Sequence, residues 1–276
     1  MAEKARLWIF LGVCWITRAL ALGSVARGSV FQSWYADVLA TFGNTAGGSP
    51  MQLPVDERFA VASGKLGSKV EIEFLSEAFA SPKIRYARMV SFCGKGYDVF
   101  NFLAVPEASI DLPMFGADVV VLPGGVLAAV DLQPLSTKTS HLQSSAYQSN
   151  SEMFGKWQKE FPPGGAMPSA AQRYFSPHAL WTRFGPMSDA TSDAQFVKLK
   201  QALSEYCQAY CRALNEAGAP SGSEKDDDSE QFLDEYLTYR TENDPAKNML
   251  VGAFGASWTE SCLKQVMFPR VAGTRG

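Results

Sequence analysis

From Lys69 onward apolar and polar positions alternate, with Val70, Ile72 and Phe74 set against Glu71 and Glu73. That is the pattern of a strand with one buried and one wet face. Ile84 to Phe92 and Tyr97 to Val105 continue as strand candidates, with Gly94-Lys95-Gly96 between them as a turn. Two more apolar runs, Ala117 to Leu122 and Val126 to Leu132, meet at Pro123-Gly124-Gly125, where a tight reversal needs glycine's freedom. Successive strands with such short connections predict an antiparallel meander rather than a parallel sheet.

Around this block the period is helical. Phe31 to Phe42 reads as a helix that ends at Gly43 and a polar linker holding Gly47, Gly48 and Pro50. Beyond Pro134 a connection rich in serine, threonine and glutamine runs to Asn150, followed by short helices at Phe154 to Phe161 and Ser169 to Tyr174. The aromatic stretch from Tyr174 to Arg183 finishes a strand or lines a pocket. The clearest helix spans Ser192 to Glu216: Phe196, Leu199, Leu203, Cys207, Tyr210 and Leu214 recur every three or four residues, Ser192 caps the start, and Gly218 with Pro220 marks the stop. An acidic surface loop with Glu224 and Asp226-Asp227-Asp228 precedes a helix at Glu230 to Arg240, then a helical region to Phe268 broken around Gly252 and Gly255. Asp244 before Pro245 has the form of a helix N-cap. The expected fold is α+β, an α/β/α sandwich with a central antiparallel β-sheet flanked by helices, in one domain over residues 31–269 with a tail at 270–276.

Residues 1–30 stand apart: Lys4 and Arg6 precede the apolar run Leu7 to Ile16 and then small residues to Gly23, the order of a targeting segment. The apolar run is too short for a membrane-spanning helix, so no span is expected in the mature protein. A docked amphipathic first helix is the competing reading. The net charge of −3 carries no basic footprint, which argues against a nucleic-acid partner. Cys207 and Cys211 share a helix face as small apolar groups, and His141 and His178 stand away from any cysteine pair, so no metal site is indicated. Gly94-Lys95-Gly96 and Pro123-Gly124-Gly125 lack the spacing and following helix of a nucleotide loop.

One charge sits among strand residues. Asp118 opens a run of three valines, where an ionised carboxylate loses hydration and its pKa rises, making it a natural proton donor. A strand-end aspartate also commonly accepts backbone hydrogen bonds or faces water, and the pattern alone leaves both readings open.

Five separated motifs carry a resemblance: Asp111-Leu112-Pro113-Met114-Phe115-Gly116-Ala117-Asp118; Leu122-Pro123-Gly124-Gly125; Asp131-Leu132-Gln133-Pro134-Leu135; Phe175-Ser176-Pro177 with Leu180-Trp181-Thr182-Arg183; and Tyr239-Arg240 with Asn243-Asp244-Pro245-Ala246. In this order, over roughly Phe31 to Pro269, the chain resembles the ferredoxin-dependent bilin reductases, and within them is most similar to the phycoerythrobilin-forming branch. The resemblance implies two-electron reduction of 15,16-dihydrobiliverdin at the A-ring diene system to phycoerythrobilin, through a bilin radical. It implies no bound cofactor, electrons from a reduced 2Fe-2S ferredoxin, and Asp118 and Asp244 as proton donors from the sheet and helix sides.

It further implies that Asn101 orients a pyrrole lactam or water, and that Lys159, Arg183 or Arg240 meets the bilin propionates. Counted from Gly94-Lys95-Gly96, the positions that hold histidines and a glutamate in phycocyanobilin-forming relatives fall on Ala87, Met89 and Asn101, which favours the two-electron reaction. Ferredoxin is acidic, so Lys69, Lys83, Arg85 and Lys95 are candidates for a local basic patch. The enzyme is expected to be a monomer in the plastid stroma, reached through the leader, alongside an upstream bilin reductase or a downstream bilin lyase. The alternatives are a bilin reductase of other regiochemistry, forming phytochromobilin or 15,16-dihydrobiliverdin, and a noncatalytic bilin carrier.

Overall fold

The strands expected from the alternation form the middle of one sheet. The computed structural model describes residues 29–45, 51–67, 70–136, 145–187, 190–217 and 227–270. Outside these lie most of the expected leader, the tail from residue 271, Cys14, Lys69, His141 and the loop acids Glu224 and Asp226. Among the described residues the sheet has eight antiparallel strands: β1 (Met51–Leu53), β2 (Val61–Leu66), β3 (Val70–Ser81), β4 (Ile84–Gly94), β5 (Tyr97–Pro106), β6 (Met114–Leu122), β7 (Gly125–Gln133) and β8 (Leu180–Phe184). The order is β1-β3-β4-β5-β6-β7-β8, and β2 lies end to end with β1 along the outer edge of β3. The meander of β3 to β7 is as expected. Gly125 turns the β6–β7 hairpin at φ +140°, and a Cβ there would strike the Phe184 carbonyl of β8.

Helices cover both faces. On one lie α1 (Gln32–Thr45), α3 (Ser145–Trp157) and α5 (Ala190–Glu216). On the other lie α6 (Asp227–Asn243), α7 (Lys247–Phe254), α8 (Ala256–Cys262) and a π-helical turn, Leu263–Met267. Two single-turn helices, α2 (Glu57–Ala60) and α4 (Ser169–Gln172), sit in connections. Each central strand sends alternate residues to the two layers. Phe100, Phe102 and Ala104 of β5 join Phe115, Ala117 and Val119 of β6 in the core beneath α1 and α5, while Val99, Leu103 and Val105 join the core beneath α6 to α8.

Several local expectations shift. The polar connection ends earlier than expected: α3 starts at Ser145, because Ala146 and Trp157 bury against the first core. The long helix begins at Ala190, so Ser192 is buried inside its first turn instead of capping it. Asp227 and Asp228 belong to α6 rather than to a loop. Gly252 is helical within α7, and the break falls at Gly255, at φ +87°. Ser29 and Val30, read as leader, hydrogen-bond through Oγ and backbone N–H to the buried Asp98 carboxylate of β5, at 2.8 and 2.7 Å.

Candidate active site

Strand register brings the candidates together on the face beneath α6 to α8. Val90, Asn101, Asp118, Ala129 and Trp181 are successive cross-strand partners on β4 to β8, so their side chains form one row across the sheet. Arg88, Leu103, Gly116 and Asp131 make the next row. Above the rows, α6 presents Tyr236 and Arg240, one turn apart, and Asp244 follows four residues on just past its end.

Asp118 is half-buried at the centre of this face. Its pKa is raised, first by burial and also by the nearby Asp244 carboxylate; Arg240, a hydrogen bond from Asn101 and Arg88 oppose the shift without cancelling it. Asp244 is buried and doubly held: Oδ2 accepts from Arg240 Nη2 at 2.9 Å, and Oδ1 accepts from the Ala246 backbone N–H at 2.8 Å. The capping role read from Asp244-Pro245 is thus present in the turn leading into α7. Arg240 Nε is buried without a partner among the described residues.

Asn101 is already engaged. Its side-chain Oδ1 accepts from Arg88 Nη1, and its amide hydrogen-bonds Asp118. Arg88, 1% exposed, also donates from Nε to the Met267 carbonyl at 2.7 Å, and burial lowers its pKa. The Phe268 ring lies 5.3 Å from the Arg88 guanidinium carbon and 5.0 Å from that of Arg240. Tyr236 Oη donates to Gln133 Oε1 at 3.2 Å, and burial raises its pKa.

At the far end of the face, Asp131 accepts from Ser176 N–H at 2.7 Å, Ser176 Oγ at 2.5 Å and Asn150 Nδ2 at 3.2 Å. Burial pushes its pKa up to about 6. The motifs around Asp131 and Ser176 are therefore two halves of one clamp that sets the start of β8. A groove of about 930 Å³ opens among α6, α7, α8 and the terminal turn; it is lined by Phe268 but by neither Asp118, Asn101, Arg240 nor Asp244.

Of the expected site residues, Asp118, Asn101, Arg240 and Asp244 converge. Arg183 is exposed on the edge strand β8, on the same face and one row from Asp118. Lys159 does not join them. It is exposed on a 3₁₀ turn between Trp157 and Phe161, whose rings enter the opposite core. Ala87 and Met89 also turn into that opposite core; the β4 residues facing the site are Arg88 and Val90, neither of them an acid or imidazole. Among the described residues, Lys83, Arg85 and Lys95 do not come together as the expected basic patch. Lys83 Nζ caps α5 through the carbonyls of Leu214, Asn215 and Ala217, and Arg85 is buried in a bidentate pair with Glu230. Lys95 is exposed at the opposite end of β4. Arg88, Tyr236 and Phe268 were missed: a lone arginine in a strand reads as a solvent-facing position until pairing fixes its face.

The model of the ferredoxin-dependent bilin reductase family matches residues 36–269. The chain belongs to that family: it is an oxidoreductase that reduces a bilin with electrons from ferredoxin. The phycoerythrobilin:ferredoxin oxidoreductase of Parasynechococcus marenigrum is 36% identical over 227 residues, covering 80% of this chain and 85% of its own. The enzyme of the same name from Nostoc punctiforme is 35% identical over 221 residues, 79% of this chain and 85% of its own. The structure of tomato phytochromobilin synthase in complex with biliverdin shares the fold, with a TM-score of 0.73 at 23% identity over 86% of this chain and 82% of that one.

Proposed function

We propose that this reductase adds two electrons and two protons to the A-ring diene system of 15,16-dihydrobiliverdin, giving phycoerythrobilin, one electron at a time through a bilin radical. The observation that carries this reading is Asp118, a carboxyl of raised pKa set among Val90, Asn101 and Ala129 on the sheet and facing Arg240 and Asp244. Each electron makes the tetrapyrrole more basic, and an acid whose burial raises its pKa keeps its proton to higher pH and can then deliver it. Asp118 fits that role. Both oxygens of Asp244 already accept hydrogen bonds, so it passes on the second proton only after the Arg240 pair loosens and it takes that proton up from solvent. The side chains beside Asp118 on the sheet supply no second acid there, which supports a two-electron outcome, as do the names of relatives such as those of Parasynechococcus and Nostoc.

The test is anaerobic turnover of the full chain with reduced ferredoxin and, separately, biliverdin and 15,16-dihydrobiliverdin, read by absorption and chromatography. Conversion of dihydrobiliverdin to phycoerythrobilin that is lost in Asp118→Asn is the expected result. Consumption of biliverdin instead would assign another regiochemistry, and pigment bound but unchanged would make the protein a carrier. The same reading puts the enzyme in a plastid stroma, where reduced ferredoxin is made, with the stretch before Ser29 as the targeting segment; import of a tagged chain into isolated plastids tests it.

A further inference from the structure

We infer that Arg88 is a positioning residue that fixes which way round the Asn101 carboxamide sits, and so which oxygen of Asp118 carries the transferable proton. The inference rests on Asp118 being the donor. A guanidinium has only N–H donors, so the atom of Asn101 it touches must be the acceptor Oδ1. The carboxamide nitrogen is then the atom left for Asp118, and it can only donate. A protonated carboxyl that must accept on the Asn101 side keeps its carbonyl oxygen there and its O–H on the other oxygen, free to meet the substrate. Take Arg88 away and the amide can turn over. Its Oδ1 then accepts the Asp118 O–H, and the proton is held against the sheet.

Arg88 is built to keep one pose. It is buried, its Nε is tied to the Met267 carbonyl, and the Phe268 ring covers its guanidinium. The charged and titratable groups facing the Asp118 and Asn101 pair are Arg88 from β4, Tyr236 and Arg240 from α6, and Asp244 from the turn after α6. Arg88 is the one of them whose hydrogen bond to Asn101 sets the amide.

The experiment compares full-length wild type with Arg88→Met, Arg88→Lys, Asn101→Leu and Asp118→Asn, measuring kcat and KM from pH 5 to 9 and the infrared stretch of the protonated Asp118 carbonyl in the bilin-bound enzyme. Since a general acid contributes about 10²–10⁴ in rate, losing its direction is expected to lower kcat about tenfold in Arg88→Met with KM within about twofold. The carbonyl stretch should rise in frequency as the Asn101 donor is lost. Lysine, which can still donate to Oδ1, should restore most of the rate and the original band. Should Arg88→Met not fold, Asn101→Leu carries the test, with the same rise in frequency and a similar fall in kcat. Wild-type kcat and an unmoved band in these variants, with turnover lost in Asp118→Asn, overturn the positioning role and leave the donor standing. Turnover retained in Asp118→Asn overturns the donor and the positioning role together.

Discussion

The two faces of the sheet spend their buried surface differently. Beneath α1 and α5 the contact is aromatic and apolar: Phe115 lies 5.6 Å from the Phe102 ring and 5.5 Å from that of Tyr210, and Phe42 meets Phe102 at 4.9 Å. Beneath α6 to α8 the same strands bury or half-bury Arg88, Asn101 and Asp118 against Arg240 and Asp244, and Asp131 is buried against Ser176 and Asn150. Hydrophobic packing on the first face stabilises the fold, whereas placing charges on the second costs stability even when they are paired. The contrast separates a scaffold from a site: one face tolerates no loss of volume, and the other no loss of charge or proton.

The sharpest way to break this contrast is to damage each face in turn. Asp118→Asn should cut kcat by about 10²–10⁴ while leaving folding stability unchanged or higher, because it removes a carboxylate whose ionised form is poorly solvated. Phe115→Ala should do the reverse, costing about 3–5 kcal/mol of stability in urea unfolding while the molecules that remain folded turn over normally. A Phe115→Ala enzyme that folds well but reacts slowly would mean that the faces are not separable.

A pH titration sharpens the same contrast. The folded Asp131 carboxyl titrates at about 6, above the ordinary value for the unfolded chain. Below about pH 4 both states are protonated; as pH rises the unfolded chain loses its proton first, so stability falls until the folded group also ionises near pH 6. That gap corresponds to about 3 kcal/mol. Asp131→Asn should lack this part of the slope, so the wild-type stability in urea unfolding should fall relative to the variant's between pH 4 and 6, whatever the substitution does to stability at one pH. Parallel curves would show that Asp131 does not titrate as its burial implies.

The sequence made some of this legible for identifiable reasons. The meander could be read because β3 alternates and glycine marks the later turns, and Asp118 because a carboxylate beside three valines is chemically out of place. Faces were harder. Counting from Gly94-Lys95-Gly96 put Ala87 and Met89 at the site, yet strand register turns Arg88 and Val90 there, and a one-residue slip exchanges the faces entirely. Lys83 and Arg85 looked like free surface cations because their partners, the end of α5 and Glu230, are more than a hundred residues away in sequence. Ser145 to Asn150 looked like linker because its helix is held by tertiary packing of Ala146 and Trp157 rather than by propensity.

The smallest expected effect divides the faces by cations. Strand spacing and rise put the Arg183 Cα about 12 Å from that of Asp118 across β7, on the same face. That is within reach of the far end of an extended tetrapyrrole whose reacting ring sits over the carboxyl. Lys159, on its 3₁₀ turn, is separated from Asp118 by the sheet edge and lies beside Glu160, which pairs with Lys198 of α5. If Arg183 holds a propionate at the cleft mouth, Arg183→Gln should raise KM about fivefold, as an exposed charge-assisted contact of about 1 kcal/mol does, with kcat unchanged. Lys159→Gln should leave both constants alone. Because such a contact is screened, the Arg183 effect should shrink as salt is raised from 0.05 to about 0.5 M. A KM effect at Lys159 and none at Arg183 would move the propionate end of the substrate to the other side of the β8 edge, and with it the orientation of the A ring over Asp118.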